Sequence, residues 1–179
     1  KKSIDLHLQM AQKALDEALE KKEFVDEVRS RALAFSGEIL ISHVMNYIIR
    51  SNGIKADAVS FDDWPIITDD NIESTNFLTS ESRIKMQKTE ELVNNNEVVT
   101  IGGFIGKTIE NITTTYERGG SDRTAADLAI LFHKKYEIRV DFEKDSAVVS
   151  ADPKIVDFGL SEVNQLSYNE ARLAGMFGM

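Results

Sequence analysis

The chain contains no cysteine, which excludes disulfides and thiolate metal sites. Its only prolines are Pro65 and Pro153, so no Pro-rich linker marks a domain boundary. No uninterrupted apolar run reaches the roughly 18 residues of a membrane-spanning helix. The opening Lys1-Lys-Ser-Ile-Asp-Leu-His7 has lysines but no long apolar stretch behind them, so a secretory signal is not expected and a cytoplasmic location is. No Lys/Arg cluster offsets the formal charge of −9, which argues against nucleic acid or an anionic membrane as a partner. A glycine-rich loop ending in Gly-Lys-Ser/Thr is also missing, which excludes a P-loop NTPase, and no segment repeats.

What is present is a composition of 42% hydrophobic and 28% charged residues over 179 positions, which fits one soluble domain or part of one. Ile4, Leu8, Ala11, Leu15 and Leu19 recur at helical spacing behind a capping Ser3, and Lys21-Lys-Glu23 is the exposed end. Val25, Val28 and Ala32 continue as a second helix. A break at Ser36-Gly-Glu38 then precedes a third, through Ile39, Val44 and Ile48, which stops at Asn52-Gly53. Strands are predicted over 55–61, 97–101 and 136–142, with a further one at Ala147-Val-Val149. Helices are predicted over 83–93, after Ser121 or Asp122, and after a capping box at Ser167-Tyr-Asn-Glu170. Strands separated by helices imply an α/β fold with a mainly parallel sheet covered on both faces.

The most specialised segment runs from Thr113 to Thr124. There Arg118, Gly119, Gly120, Ser121 and Asp122 follow a run of threonines and open directly onto a helix. Glycines admit close approach of the backbone, a helix start attracts anions, and an arginine fork fits a carboxylate or phosphate. An anionic substrate is therefore expected. Gly102-Gly-Phe-Ile-Gly106, at the end of a predicted strand, is a second candidate loop. Asp152-Pro153 with Lys154 reads equally as an ordinary turn or as a placement of a cation near a nucleotide phosphate. His7, His43 and His133 lack the sequence spacing of a metal pair, no metal site is expected, and Trp64 beside Pro65 is read as a loop anchor.

Read together, Ser36-Gly-Glu38, Gly103-Phe-Ile-Gly106, Thr114 to Ala125, Ser150-Ala-Asp-Pro-Lys154 and Leu166 to Ala171 resemble, in order, the motifs of aspartokinases. The resemblance implies the amino acid kinase fold, a three-layer sandwich. It also implies transfer of the ATP γ-phosphoryl group, with Mg²⁺, to the side-chain carboxylate of L-aspartate. That step opens the route to lysine, methionine and threonine. Glu38 would then meet the substrate ammonium and Arg118 its carboxylate. Phe104, Gly119, Gly120, Ser121 and Asp122 would complete the pocket, with Asp122 assigned to catalysis.

The nucleotide would lie over 143–154, at Lys144, Val149, Asp152, Pro153 and Lys154. Glu143-Lys-Asp-Ser-Ala147 departs from the family's usual Thr-Asp-Val-Asp-Gly, which alters the expected adenosine contacts. The family's Lys-Phe-Gly-Gly strand and regulatory ACT domains have no counterpart in this sequence, so a catalytic-domain piece, incomplete at both ends and inactive alone, is expected. Homodimerisation is the family expectation. A non-catalytic binding module, or an acetylglutamate, glutamate or uridylate kinase of the same fold, is the alternative.

Overall fold

The computed structural model describes every residue except 1, 118, 144–148, 152–154, 157 and 177–179. It divides into two compact units, Lys1–Val140 and Asp141–Met179.

In the first unit, helix α1 (Lys2–Lys21) turns at Lys22 into α2 (Asp26–Leu33). The break predicted at Ser36-Gly-Glu38 is instead a π-helical segment, Ala34–Glu38, through which the chain passes without interruption into α3 (Ile39–Ser51). A glycine lowers helix propensity, but burial of Ala34, Phe35 and Ile39 on both sides of it holds the helix together. The wide turn takes up an extra residue without ending the helix. The 26-residue helix Asp26–Ser51 contains an 18-residue stretch of mean hydropathy 1.4. By length and composition alone it is long and apolar enough to cross a membrane, although no uninterrupted apolar run of that length is present, and its Ala34, Phe35 and Ile39 are buried in the core of this unit. Asn52 and the left-handed Gly53 end it as predicted.

The α3 helix packs on a parallel pair, β1 (Ala56–Ala58) and β2 (Val98–Thr100). Both are shorter than the predicted strands. Between them α4 (Thr79–Lys85) and α5 (Gln87–Asn95) replace the single predicted helix, divided at Met86. A second sheet pairs β3 (Ile105–Lys107) antiparallel with β4 (Thr113–Thr115), and Ile67 joins it through a parallel bridge to Lys107. Helix α6 (Gly120–Phe132) follows. Phe35, Ile39, Val59, Phe61, Trp64, Ile66, Met86, Ile105, Tyr116 and Leu131 form the core between these elements. Trp64 is only 1% exposed and donates its indole N–H to the Ile105 carbonyl at 3.0 Å, so it is a core residue and not merely a loop anchor. His7 and His43, distant in sequence, bring their tilted rings to 4.4 Å between centroids because α1 packs on α3.

The strand predicted over 136–142 does not form. Those residues have no ladder partner among the described residues, and the division between the two units falls within them. In the second unit Val149 makes an isolated bridge to Glu162. The predicted capping box is present ahead of α7 (Tyr168–Met176): the Ser167 N–H and hydroxyl both donate to the Glu170 carboxylate, and the Glu170 N–H returns to the Ser167 hydroxyl.

Candidate functional site

The loop after β2 carries the junction on which the site is built. A β-carbon on Gly102 would fall 2.6 Å from the Glu38 carbonyl oxygen, and one on Gly103 would fall 2.9 Å from the Ser121 Cα. Neither distance is tolerable, so only a glycine pair threads between the end of the π-helical segment and the first turn of α6. Burial raises the Glu38 pKa above the ordinary carboxylate value, while the nearby Gly103 backbone N–H acts to lower it. A half-buried carboxylate with a raised pKa, at the mouth of a glycine loop, suits an ammonium ligand.

Phe104 follows with φ of 68°, a left-handed conformation that an aromatic residue rarely adopts. Three contacts hold it there. Its N–H donates to the Thr124 hydroxyl at 3.0 Å, its carbonyl accepts from the Tyr116 N–H at 2.9 Å, and the Thr124 hydroxyl in turn donates to the Gly120 carbonyl at 2.9 Å. Strain over-determined in this way points to a functional wall.

The turn itself differs from expectation in two respects. Ser121 and Asp122 do not cap α6. The cap is Gly119, left-handed at φ of 84°, and Ser121 and Asp122 occupy the first turn with exposed side chains. The reason is that a glycine takes the left-handed conformation at no steric cost, which leaves the free N–H groups of α6 beside the polar residues. Nor do the threonines face a ligand. Thr113, Thr114 and Thr115 are buried, with the Thr114 hydroxyl 2.7 Å from that of Thr68 and the Thr115 hydroxyl 3.4 Å from that of Ser30. They anchor the strand that delivers the turn.

Glu38 and Ser121 thus meet at Gly103, and Gly120 meets the adjoining Phe104, with Gly119 just before and Asp122 just after them along the turn into α6. Arg118, Lys144, Asp152, Pro153 and Lys154 lie outside the described residues, and Val149 belongs to the second unit.

Sequence reading missed the loop that supports the turn. The Asp69 carboxylate accepts from the Asn71 and Asn76 side chains, both at 2.8 Å, from the Asn76 N–H at 2.9 Å and from the Thr75 hydroxyl at 3.0 Å. Burial works against that charge, but the donors together hold the Asp69 pKa well below the usual carboxylate range. The loop so ordered pairs with β4 through Thr75 N–H to the Thr115 carbonyl and Thr115 N–H to the Ile72 carbonyl, and Ser74 donates to Glu117 at 2.6 Å. Asp69-Asp-Asn71 is an Asx-turn signal that could have pointed to it.

A model of the amino acid kinase family matches residues 2–179. Aspartokinase 1 of Bacillus subtilis (strain 168) is 31% identical over 145 residues, covering 76% of this chain and 34% of that protein. The chloroplastic bifunctional aspartokinase/homoserine dehydrogenase 1 of Arabidopsis thaliana is 30% identical over 144 residues, covering 79% of this chain and 15% of that protein. The crystal structure of E. coli aspartokinase III in complex with aspartate and ADP, in the R-state, superposes with a TM-score of 0.84 at 25% identity, over 99% of this chain and 38% of that one. The chain therefore spans 34% and 15% of the length of these two curated relatives.

Proposed function

Since the chain belongs to the amino acid kinase family and has its fold, we propose that it carries the acceptor site of an aspartate kinase, which transfers the ATP γ-phosphoryl group to the side-chain carboxylate of L-aspartate. The junction at Gly103 carries this reading: it sets a half-buried carboxylate, a strained aromatic wall and a helix start side by side. The aspartokinase III structure holds aspartate and ADP, and the curated relatives bear the aspartokinase name.

In this proposal Glu38 receives the substrate ammonium and Arg118 its α-carboxylate. Phe104 walls the pocket, Gly119 and Gly120 open it onto the helix start, and Ser121 and Asp122 complete it. ATP lies over Lys144, Val149, Asp152, Pro153 and Lys154. The aspartate side chain is already a carboxylate at neutral pH, so no general base is needed. One of its oxygens attacks the γ-phosphorus, the bond to the bridging oxygen breaks, and ADP leaves with that electron pair. The protein contributes alignment of two anions and cancellation of their charge. Mg²⁺ would arrive on the nucleotide phosphates and neutralise charge there. Among the described residues no group of three metal-binding side chains is assembled, so no step is assigned to a protein-held ion. The full-length protein is proposed to act as a homodimer in the cytoplasm.

The test is aspartyl hydroxamate formation by the protein expressed from its full reading frame, supplied with ATP, Mg²⁺ and aspartate. Turnover is expected, and Arg118→Ala should raise the KM for aspartate or abolish activity while the fold persists. No turnover would end the kinase reading, and an unchanged KM would remove Arg118 from the pocket.

A further inference from the structure

Behind the turn lie two polar side chains that the proposed pocket does not use. Tyr116 is 1% exposed and Asp127 6% exposed. The Tyr116 hydroxyl donates to an Asp127 carboxylate oxygen at 2.8 Å, and the Arg123 guanidinium stands over the Tyr116 ring at 4.9 Å. Burial raises the pKa of both groups, and for Asp127 the Tyr116 bond and the Arg123 charge pull the other way. An apolar pair of similar size would fill the same space without desolvating a carboxylate, so core packing alone does not call for this pair.

Its position does. Tyr116 is the first residue after β4 and Asp127 sits within the body of α6, so their bond ties the end of the strand to the helix that carries Gly120, Ser121 and Asp122. Tyr116 also governs both neighbours of the turn. Its N–H fixes the Phe104 carbonyl, and its Cβ lies where a β-carbon on Gly120 would come within 2.4 Å, with Phe104 Cδ2 at 2.8 Å on the other side. Tyr116, Gly120 and Phe104 therefore interlock, and Asp127 fixes the rotation of the Tyr116 ring within that lock.

We propose that Tyr116 and Asp127 are positioning residues for the acceptor pocket: their buried hydrogen bond sets the Phe104 wall and the turn into α6 in the arrangement that binds the substrate carboxylate. This rests on the aspartate reading of the pocket. The proposal concerns the acceptor pocket, so the effect should fall on the KM for aspartate.

The experiment is steady-state kinetics on the full-reading-frame protein. Tyr116→Phe keeps the ring and removes only the donor; it should raise the KM for aspartate about tenfold, while kcat and the KM for ATP stay within about twofold. Asp127→Asn, which keeps an acceptor oxygen, should stay near wild type, and Asp127→Leu should repeat the Tyr116→Phe effect. Backbone hydrogen exchange at Gly119–Asp122, faster in Tyr116→Phe, reads the same geometry without turnover. It decides the proposal even if wild type forms no hydroxamate, a result that would instead sink the kinase reading. A melting temperature that falls while exchange at the turn and the aspartate KM stay put would reduce the pair to ordinary core residues and overturn the proposal. Equal shifts in both KM values would overturn it as well.

Discussion

The Gly103 N–H lies near the Glu38 carboxylate and acts to lower its pKa, and this approach joins the strand-end loop to a π-helical turn far away in sequence. Everything assigned to the acceptor pocket is arranged around this meeting, and the first prediction concerns the glycine beside it.

Gly102→Ala would set a methyl group 2.6 Å from the Glu38 carbonyl oxygen and 2.8 Å from its carbon. The atoms met are the Glu38–Ile39 peptide backbone, so the strain has no cheap outlet. The cost expected is about 1–3 kcal/mol. At roughly 2–4 °C per kcal/mol for a chain of this size, the melting temperature should fall by several degrees. Calorimetry on the variant checks this, and a change under about 1 °C would contradict the close approach.

Glu38 should show opposite effects on stability and on binding. Its carboxyl is raised by burial, so between the ordinary value of 4.5 and the raised one the folded protein binds more protons than the unfolded chain. Stability therefore falls as pH rises through that window, and at neutral pH the buried charge is a cost. Glu38→Gln should leave the melting temperature at pH 7 equal or higher and flatten its slope with pH. The same change should raise the KM for aspartate at least about tenfold, the loss expected when a charge-assisted hydrogen bond is removed. A variant with lower stability and unchanged KM would refute the assignment.

Asp69 works in the other direction. Its depressed pKa means that the stabilisation it supplies is complete above the unfolded value of about 3.9 and is lost as pH falls toward the folded one. Asp69→Ala removes the acceptor shared by Asn71, Thr75 and Asn76, and a loss of about 3 kcal/mol is expected. Acid titration of the melting temperature should show wild type losing stability at low pH and the variant losing little more. Parallel acid limbs would rule Asp69 out as the source.

Lys107 is 7% exposed, donates to the Phe61 carbonyl at 2.9 Å and lies over the Phe61 ring, yet no ion pair to it occurs among the described residues. Burial lowers its pKa, against the opposing pull of Asp62. Between that lowered value and 10.5 the folded protein binds fewer protons than the unfolded chain, so stability rises with pH across the window. Lys107→Met keeps the apolar stem, should stay within about 1 kcal/mol of wild type, and should abolish that alkaline rise. A large destabilisation in chemical denaturation would show that the Phe61 carbonyl bond outweighs the buried charge.

Most helices could be read from the sequence because their signals are local. The apolar spacing from Ile4 to Leu19, the Asn52-Gly53 stop and the Ser167–Glu170 box each act within one or two turns. The strands over 55–61 and 97–101 were recognisable, but their lengths and parallel pairing depend on each other and on α3. The strand expected over 136–142 fails for the same reason: a β pattern without a neighbour to hydrogen-bond is not a strand.

By itself the sequence determined which chemical groups this protein offers to an anion: a glycine loop after a strand, and a turn rich in glycine, arginine and acid at a helix start. Their chemistry is written in residue type and order. Tertiary structure decided which of them meet. It carried Glu38 to Gly103, withdrew the threonines into the core, moved the helix cap to Gly119 and tied Tyr116 to Asp127. These outcomes turn on close approach and burial between segments remote along the chain, and no local pattern encodes distances of that kind.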